Sequence, residues 1–342
     1  IIAEFPFYPA EGQDALATST EFHCGGSTAN SAMALARMGF DVHLISRVGP
    51  DPLAAKAVDS LAEAGVLGLG LQRDEIVATG LMYVVVTANG ERTILGDRGA
   101  NVFTDPRQVP EEIIRDARLF HLSGYALLAD PQRSAALLAL EMACRHGLTV
   151  SLDPGLSISQ AALDEMRALL PVIDILLPNQ AEAQKLAGSS EPRECVQRLL
   201  EAGANLVVLK LGREGCLVGS REGMVPVPGF RVRARDTTGA GDYFAAGIIA
   251  GFLGALTWPA AALLGNAMGA GAVSSLAGLL GHESTPLRCQ AAELLGKLGP
   301  AAAPAVDALA SALADDESQV RLASARALER NGSAASAAVP AL

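Results

Sequence analysis

The sequence contains one stretch in which small residues lead directly into an apolar helix pattern: Asp236-Thr237-Thr238-Gly239-Ala240-Gly241-Asp242, followed by Tyr243-Phe244-Ala245-Ala246-Gly247-Ile248-Ile249. Apolar residues recur at helical spacing from Phe244 to Phe252, which predicts a helix whose first turn carries Asp242. Glycines allow a tight turn that directs several backbone N–H groups, and the positive end of the helix, at one point. The stretch therefore predicts an anion-binding loop.

Asp242 suggests what kind of anion this loop handles. A carboxylate beside a phosphate-binding loop is unfavourable for simple binding, because the two negative charges repel each other. It suits phosphoryl transfer, in which Asp242 takes the proton of a substrate hydroxyl while the amides of Gly239, Ala240 and Gly241 hold the transferred group. The alternative is that Asp242 only caps the helix and the glycines only turn the chain.

This stretch resembles the signature of the ribokinase-like, or PfkB, family of carbohydrate kinases, and the resemblance extends over about residues 1–281. It implies that Asp242 is the catalytic base and that the amides of residues 239–241 form the anion hole. It also implies a potassium ion beside that hole, held by Asp236 and by a carbonyl at Thr238. We further expect Thr237 to contact the nucleotide.

Length, composition and charge limit the classes of partner. A chain of 342 residues predicts about two domains. Half of its residues are hydrophobic and 35 are glycine, which is typical of an α/β protein with a large core. The net charge of −11 argues against nucleic acid and anionic membranes as partners, although it does not exclude ATP. The five cysteines have no C-x-x-C spacing, so we expect a reducing, cytoplasmic compartment.

A membrane alternative arises because residues 243–281 contain no charged side chain and Gly247 and Gly251 have small-xxx-small spacing. Trp258-Pro259 divides this run into two segments that are short for a membrane span. We therefore expect two helices packed inside the protein and no membrane partner.

A second glycine motif lies near the start of the chain. Gly25-Gly26-Ser27-Thr28-Ala29-Asn30 leads into a predicted helix through Ala36, which Gly39 should terminate. Backbone groups and an amide at this point could bind a polyhydroxylated ligand. The motif resembles the family's Gly-Gly-x-x-x-Asn element, which implies that Gly25, Gly26 and Asn30 bind the sugar. The alternative is a plain glycine turn with a surface asparagine.

A hairpin follows, because Leu81–Thr87 and Arg92–Leu95 flank Asn89-Gly90, a strong turn signal. We expect it to form a small β lid, through which the chain could also form a homodimer. Arg98 and Asn101 lie just beyond it, where the family often contacts substrate, so both are candidate sugar or phosphate ligands. The alternative is a solvated arginine and a turn asparagine.

Four short apolar runs separated by helical segments predict a ribokinase-like, doubly wound, mostly parallel sheet with helices on both faces. The runs are residues 119–122, 149–152, 173–177 and 206–209. Ligands of such sheets bind beyond the carboxyl ends of the strands, where this sequence has Ser123-Gly124, Asp153-Pro154, Asn179 to Glu182, and Lys210 to Gly212.

Three further ligand predictions concern this edge of the sheet and a later helix. Asn179 and Glu182 have the spacing of a helix capping box, but they also resemble the family's magnesium and phosphate motif, in which waters bridge to Mg²⁺; the two interpretations are compatible. The resemblance also makes Asn179 a candidate nucleotide ligand. Lys210 and Gly212 are candidate nucleotide ligands. Asn266 lies in a segment that resembles the helix bordering the adenine pocket, with a helix-surface asparagine as the alternative.

The sequence changes character after Gly281. Pro286-Leu287-Arg288 recurs as Gln319-Val320-Arg321, and Val306 to Leu309 recurs as Val339 to Leu342. This period is typical of an α-solenoid and resembles short HEAT repeats. We expect a kinase domain over residues 1–284 and HEAT-like repeats over residues 285–342, packed on the kinase, a protein partner, another copy or further repeats. The alternative is an Ala-rich helical tail.

The start of the chain departs from the family pattern. Family members usually begin with a strand that ends in an Asp binding the sugar, and neither is present before Ile1. Because the chain starts with Ile1 rather than Met, we expect either missing residues or a compensating fold.

The leading hypothesis is an ATP-dependent sugar kinase that uses Mg²⁺ and K⁺. A nucleoside kinase is the nearest alternative, although no aromatic pair for stacking a base is evident. A different class of answer is a kinase-like binding module, in which catalysis is lost with the missing strand and the solenoid recruits partners. Phosphoryl transfer to a sugar, as opposed to nucleotide binding without turnover, separates these hypotheses.

Overall fold

The structure is a computed structural model that describes residues 1–88, 92–155, 160–230, 239–270, 273–281, 285–332 and 335. The turn predicted at Asn89-Gly90 and the predicted ligands Asp236, Thr237 and Thr238 lie outside these residues. The strands, numbered in chain order, are β1 (Ile2–Phe5), β2 (Ser19–Glu21), β3 (Ser46–Val48), β4 (Leu71–Arg73), β5 (Thr79–Thr87), β6 (Arg92–Gly99), β7 (Leu119–Ser123), β8 (Thr149–Asp153), β9 (Ile175–Leu176), β10 (Leu206–Lys210), β11 (Gly215–Ser220) and β12 (Gly223–Pro228).

The helices alternate with these strands through most of the chain and follow one another after β12. They are α1 (Ser27–Arg37), α2 (Pro52–Glu63), α3 (Glu111–Arg115), α4 (Gln132–Arg145), α5 (Gln160–Leu169), α6 (Gln180–Ala187), α7 (Pro192–Glu201), α8 (Ala240–Leu253), α9 (Trp258–Gly269), α10 (Val273–Leu279), α11 (Thr285–Leu298), α12 (Val306–Ser311) and α13 (Ser318–Asn331). Short 3₁₀ turns connect several of them, including Gly212–Glu214 after β10 and Gly299–Ala305 after α11.

A six-stranded sheet in the order β12-β11-β10-β9-β8-β7 forms the centre of the α/β part. The strands β7, β8, β9 and β10 are parallel to their neighbours, as the four apolar runs predict. The antiparallel strands β11 and β12 extend the sheet and were not predicted from the sequence. The mostly parallel arrangement with helices on both faces confirms the predicted fold class.

The two faces of this sheet belong to two separate hydrophobic clusters. Leu206 and Val208 of β10 pack in one cluster with α8 and α9, whereas Val207 and Leu209 pack in the other with α4, α6 and α7. Successive side chains of a strand point to opposite faces, so a strand buried on both sides must be apolar throughout. This requirement explains why the four runs read as continuous hydrophobic segments.

A four-stranded sheet in the order β2-β1-β5-β6 forms the lid. The strands β5 and β6 are antiparallel, which confirms the predicted hairpin, and β1 lies parallel to β5. The first residues of the chain thus belong to the lid. Within the described residues, β7 is the last strand on its side of the six-stranded sheet, and β3 pairs only with β4.

Helices α8 and α9 cross at glycines. A Cβ atom added to Gly247 would lie 2.6 Å from the Cα of Gly265, so the two backbones touch at a distance that leaves no room for a side chain. The small residues of this charge-free region therefore serve close helix packing. None of the helices that the structure describes is long and apolar enough to cross a membrane.

Helices α11, α12 and α13, in the predicted repeat segment, pack on α8 and α9. One hydrophobic cluster contains Ile248 of α8 and Leu264 of α9 together with Leu295, Leu309 and Leu328 of the predicted repeats. The ammonium of Lys297 on α11 also donates to the carbonyl oxygen of Gly254, at the end of α8 (3.4 Å). Because this core crosses residue 284, the division into domains at that residue stays a prediction.

Candidate active site

Polar side chains gather at the carboxyl ends of the parallel strands, as predicted. Asp153 ends β8, Asn179 follows β9, and Lys210 ends β10. A single parallel bridge joins Asn179 to Lys210, and the Nζ of Lys210 reaches across to Oδ2 of Asp153 at 2.8 Å. The helix α8 begins beside this group and carries Asp242 in its first turn.

Gly239 is the N-cap of α8 and has a left-handed backbone conformation, with φ of 76°. A Cβ atom at this position would lie 3.3 Å from Nδ2 of Asn30. Both the backbone conformation and the close amide therefore require glycine, as expected for a loop that exposes backbone N–H groups. Gly241 follows in the first turn of the helix.

The carboxylate of Asp242 is held by α1. Its Oδ1 accepts a hydrogen bond from Oγ of Ser27 (2.7 Å), and its Oδ2 accepts one from Nδ2 of Asn30 (2.7 Å). The hydroxyl of Ser31 donates to the backbone carbonyl of Asp242 (2.9 Å). The two predicted glycine motifs therefore meet, and Asn30, predicted to bind sugar, contacts the predicted base directly.

Sequence reasoning missed Ser27 and Ser31. Ser27 lies three residues before Asn30 and Ser31 lies one residue after it, so all three are on neighbouring turns of α1. This spacing could have indicated that the two serines lie beside Asn30. The sequence could not show that Asp242 would be their partner, because α1 and the start of α8 are more than 200 positions apart.

The environment of Asp242 makes it a stronger base than an ordinary aspartate. Burial raises the pKa of Asp242, and the nearby charge of Asp153 raises it further. The hydrogen bonds from Asn30 and Ser27 and the charge of Lys210 lower this pKa, but the net shift is upward. The Asp242 carboxylate faces neutral donors and is not turned into bulk solvent.

Lys210 and Asp153 form a buried ion pair whose side chains are 14% and 9% exposed. Burial alone lowers the pKa of Lys210, but the carboxylates of Asp153 and Glu182 outweigh it and the pKa is raised overall, so the amine stays charged. A Cβ atom on Gly241 would lie 3.6 Å from Nζ of Lys210. A full positive charge therefore lies directly beside the predicted anion hole.

Asn179 and Glu182 form the predicted capping box. Oδ1 of Asn179 accepts from the backbone N–H of Glu182 (3.0 Å), and Oε2 of Glu182 accepts from the backbone N–H of Asn179 (2.8 Å). Burial, followed by the charge of Asp153, raises the pKa of Glu182 to about 7, although Lys210 opposes this shift. Neither bond uses Oε1 of Glu182.

This arrangement suits a hydrated Mg²⁺ better than a directly bound one. Within the described ranges, no three acidic, histidine or cysteine side chains are grouped so that they could hold an ion. The remaining carboxylate oxygen of Glu182 can instead accept from metal-bound waters, as Mg²⁺ often retains its waters in proteins.

Three predicted ligands have partners within the protein. Arg98 donates to the carbonyl oxygen of Tyr125 (2.7 Å) and to Oε1 of Gln132, so it ties the end of β6 to the start of α4. The Oδ1 of Asn101 accepts from Oγ of Ser46 (3.0 Å). These contacts tie both side chains to the protein, and their roles as substrate ligands stay predictions.

The third of these residues, Asn266, is 7% exposed, which also excludes its placement on a helix surface. Its Nδ2 donates to the carbonyl oxygens of Val227 (3.3 Å) and Pro228 (3.1 Å) and so joins α9 to the end of β12. The side-chain amide of Asn266 thus has partners within the protein, and its role as a nucleotide contact stays a prediction.

The predicted glycines lie at the starts of helical turns. Gly26 is the N-cap of α1 with φ of 109°, and Gly25 precedes it. Gly212 has φ of 60° and opens the 3₁₀ turn after Lys210. All three glycines are exposed, two at the start of α1 and one after the end of β10.

Two surface cavities lie elsewhere. One, of about 250 Å³, is lined by Asp174, Asn205, Phe252 and Trp258 and lies at the opposite ends of the parallel strands. The other, of about 420 Å³, is lined by Arg47, Asp74, Phe103 and neighbouring residues. Neither cavity is lined by Asp242. Residues 231–238, which precede Gly239 in the chain, lie outside the described residues.

Comparison with family models gives two matches. The model described as pfkB family carbohydrate kinase matches residues 2–280, and the HEAT-repeat model matches residues 258–342. The two matches overlap on α9 and α10, so the last helices of the first match are also the first helices of the second. This overlap agrees with the continuous core that joins them.

Individual proteins give the same result. The chain is 29% identical over 255 residues to probable fructokinase-7 of Arabidopsis thaliana, covering 71% of the chain and 74% of the relative. It is 30% identical over 241 residues to deoxyribokinase of Salmonella typhi, covering 69% and 76%. An E. coli protein described as a candidate ribokinase II, solved with ATP and Mg²⁺, aligns with a TM-score of 0.70 and 26% identity over 79% of this chain and 90% of that one.

Proposed function

The chain belongs to the pfkB family of carbohydrate kinases, and on that premise we propose that it transfers the γ-phosphoryl group of ATP to a sugar hydroxyl with Asp242 as general base. The observation that carries this proposal is the carboxylate of Asp242 at the start of α8. It is oriented by Ser27 and Asn30 and adjoins the backbone amides of residues 239–241.

The proposed reaction is a direct displacement at phosphorus. The sugar hydroxyl gives its proton to a carboxylate oxygen of Asp242 while its oxygen forms a new bond to the γ-phosphorus. The bond from that phosphorus to the β,γ-bridging oxygen breaks, and the oxygen leaves with ADP. The amides of Gly239, Ala240 and Gly241 hold the charge on the transferred oxygens, which is the largest single contribution in such sites.

The substrate hydroxyl requires a polar surface beside Asp242, and we propose that Gly25, Gly26 and Asn30 provide it. One N–H of the Asn30 amide is used on Asp242, which leaves a second N–H and Oδ1 for sugar hydroxyls. Asn30 would then contact both the substrate and the base, so that binding the sugar also positions its hydroxyl for deprotonation.

The nucleotide would lie on the opposite side of the anion hole. We propose that Lys210, Gly212 and Thr237 contact its phosphates, with Glu182 and Asn179 holding Mg²⁺ through waters. When bound, Mg²⁺ supplies positive charge to the phosphate oxygens. K⁺ at Asp236 and Thr238 is part of the same proposal and needs a test of its own, because both residues lie outside the described ones.

The lid and the repeats suggest two interactions. Tyr83 and Leu95 face each other across β5 and β6 and are 48% and 51% exposed, and large exposed apolar residues often mark interaction sites. We propose that the lid covers the sugar and that its outer surface pairs two copies of the chain. The HEAT repeats are proposed to bind a protein partner.

The experiment is a coupled assay of ADP release with Mg-ATP and a panel that contains fructose, deoxyribose, other free sugars and nucleosides. The proposal predicts turnover with at least one free sugar, confirmed by mass spectrometry of the phosphorylated product. Turnover with nucleosides alone would favour a nucleoside kinase. Binding of ATP, measured by calorimetry, without any turnover would favour a kinase-like binding module.

A further inference from the structure

The ion pair between Lys210 and Asp153 poses a question that the proposed reaction leaves open. The two residues are 57 positions apart and end strands that are separated by β9. A buried ion pair is weak evidence for stability, because desolvation of both charges offsets much of their attraction. A pair placed at the anion hole therefore calls for an explanation in the chemistry of the site.

Negative charges outnumber positive ones around Lys210. Three carboxylates, Asp153, Glu182 and Asp242, are near enough to raise the pKa of this one amine. An incoming γ-phosphate adds further negative charge at the amides of residues 239–241. A lysine beside Gly241 is therefore placed where charge accumulates as the phosphoryl group is transferred.

An ion pair between Lys210 and Asp242 would impair the proposed role of Asp242 as the base. A carboxylate in an ion pair has a lowered pKa and is a weaker base. Instead, Asp242 accepts from the neutral donors Ser27 and Asn30, while the ammonium of Lys210 is bonded to Asp153. Asp153 thus provides the lysine with a partner other than the base.

We propose that Asp153 is a positioning residue that holds the ammonium of Lys210 against the anion hole, where it contacts the transferred phosphoryl group and does not pair with Asp242. This inference rests on the proposed kinase function and goes beyond it, since it assigns the lysine to the reacting phosphoryl group and gives a role to Asp153. Lys210 and Asp153 do not have to belong to one sequence motif, because the order of the strands brings the ends of β10 and β8 close together.

The test compares Lys210→Met, Lys210→Arg, Asp153→Asn and the double variant Asp153→Asn/Lys210→Met with wild-type enzyme on the sugar found by the ADP-release screen. We expect Lys210→Met to lower kcat by about 10²-fold to 10³-fold, as for loss of one oxyanion donor, with the KM for sugar unchanged. Lys210→Arg keeps the charge and should recover most of this loss. Lys56→Met, on the exposed side of α2, is the matched control and should match wild type.

Asp153→Asn separates positioning from a structural role. We expect it to lower kcat by about 10-fold to 10²-fold through misplacement of the ammonium. It should also move the acidic limb of the pH profile of kcat/KM to lower pH, since a negative charge is lost and Lys210 is released towards Asp242. Lys210→Met should move the same limb to higher pH. The charged groups that act on the pKa of Asp242 are Asp153 and Lys210. Glu182 and His121 interact in turn with those two residues.

The double variant covers the case in which a single change leaves an unpaired buried charge and unfolds the protein. It should fold, as judged by its thermal transition, and should retain the kcat defect of Lys210→Met. Wild-type kcat in Lys210→Met or in the double variant would overturn the proposal, as would limb shifts of the same sign in the two single variants. An inactive wild-type enzyme with every sugar would instead refute the kinase function itself.

Discussion

The side-chain amide of Asn30 donates a 2.7 Å hydrogen bond to Oδ2 of Asp242, so a helix near the start of the chain fixes the carboxylate at the start of α8. Ser27 makes the equivalent bond to Oδ1 from one turn earlier. The glycine motif that we propose binds the sugar and the one that we propose transfers the phosphoryl group are thereby joined, so a change at Ser27 or Asn30 should also act on the proposed base.

The first prediction concerns Ser27. Its hydroxyl lowers the pKa of Asp242 by bonding the ionised form, so Ser27→Ala should raise that pKa further and move the acidic limb of kcat/KM to higher pH. At pH values below the limb we expect a loss of about 10-fold, the size of a hydrogen bond to a charged group. The measurement is the pH profile, with Ser60→Ala on α2 as control. An unshifted limb would count against Asp242 as the titrating base.

The second prediction concerns Gly239. In Gly239→Ala, the left-handed backbone and the contact with Nδ2 of Asn30 should together distort the loop, and kcat should fall by at least about 10²-fold. Gly12 has a similar φ of 78° with no atom near an added Cβ, so Gly12→Ala carries the same backbone strain in the segment between β1 and β2. Equal effects of the two variants on kcat would contradict the assignment of the anion hole.

The third prediction concerns Glu182 and Mg²⁺. Because the pKa of Glu182 is about 7, protons compete with the metal below that pH, and the apparent Mg²⁺ affinity of the wild-type enzyme should weaken between about pH 8 and pH 6. Glu182→Gln keeps the capping box and should bind Mg²⁺ weakly at both pH values. Mg²⁺ titrations of the ADP-release rate measure this, with the exposed Glu201→Gln as control. If the apparent Mg²⁺ affinity of Glu182→Gln still depends on pH as in the wild-type enzyme, Glu182 is not the metal contact.

The fourth prediction tests the packing of α8 on α9. A Cβ atom at Gly247 would lie 2.6 Å from the backbone of Gly265, so Gly247→Ala should reduce the free energy of unfolding by about 1–3 kcal/mol. Gly278 on α10 has no atom within 4 Å of an added Cβ. Gly278→Ala should therefore be neutral or stabilising by up to about 1 kcal/mol. Urea unfolding of both variants gives the comparison, and equal stability would show that the helices can separate without cost.

Local patterns explain what the sequence could predict. The four parallel strands, the hairpin β5–β6 and the helix after Gly239 each depend on a few consecutive residues, and all are present in the structure. Strands β11 and β12 were missed because Gly215–Ser220 and Gly223–Pro228 contain glycines and prolines, which weaken a strand pattern.

Long-range partners explain what it could not predict. Arg98, Asn101 and Asn266 are polar residues near plausible ligand positions, and only the fold shows that Tyr125, Ser46 and Val227 already engage them. The ion pair of Asp153 with Lys210 depends in the same way on the order of the strands. The apolar runs predict that the strand ends lie along one edge of the sheet, but they do not give the order of the strands.

The most direct test of the central claim is the turnover of Asp242→Asn with Mg-ATP and the sugar substrate, with ATP binding measured by calorimetry in parallel. Asparagine keeps the shape of the side chain but cannot accept the hydroxyl proton. We predict that kcat falls by about 10²-fold to 10⁴-fold while ATP still binds. Turnover of Asp242→Asn at the wild-type rate would contradict the assignment of Asp242 as the base.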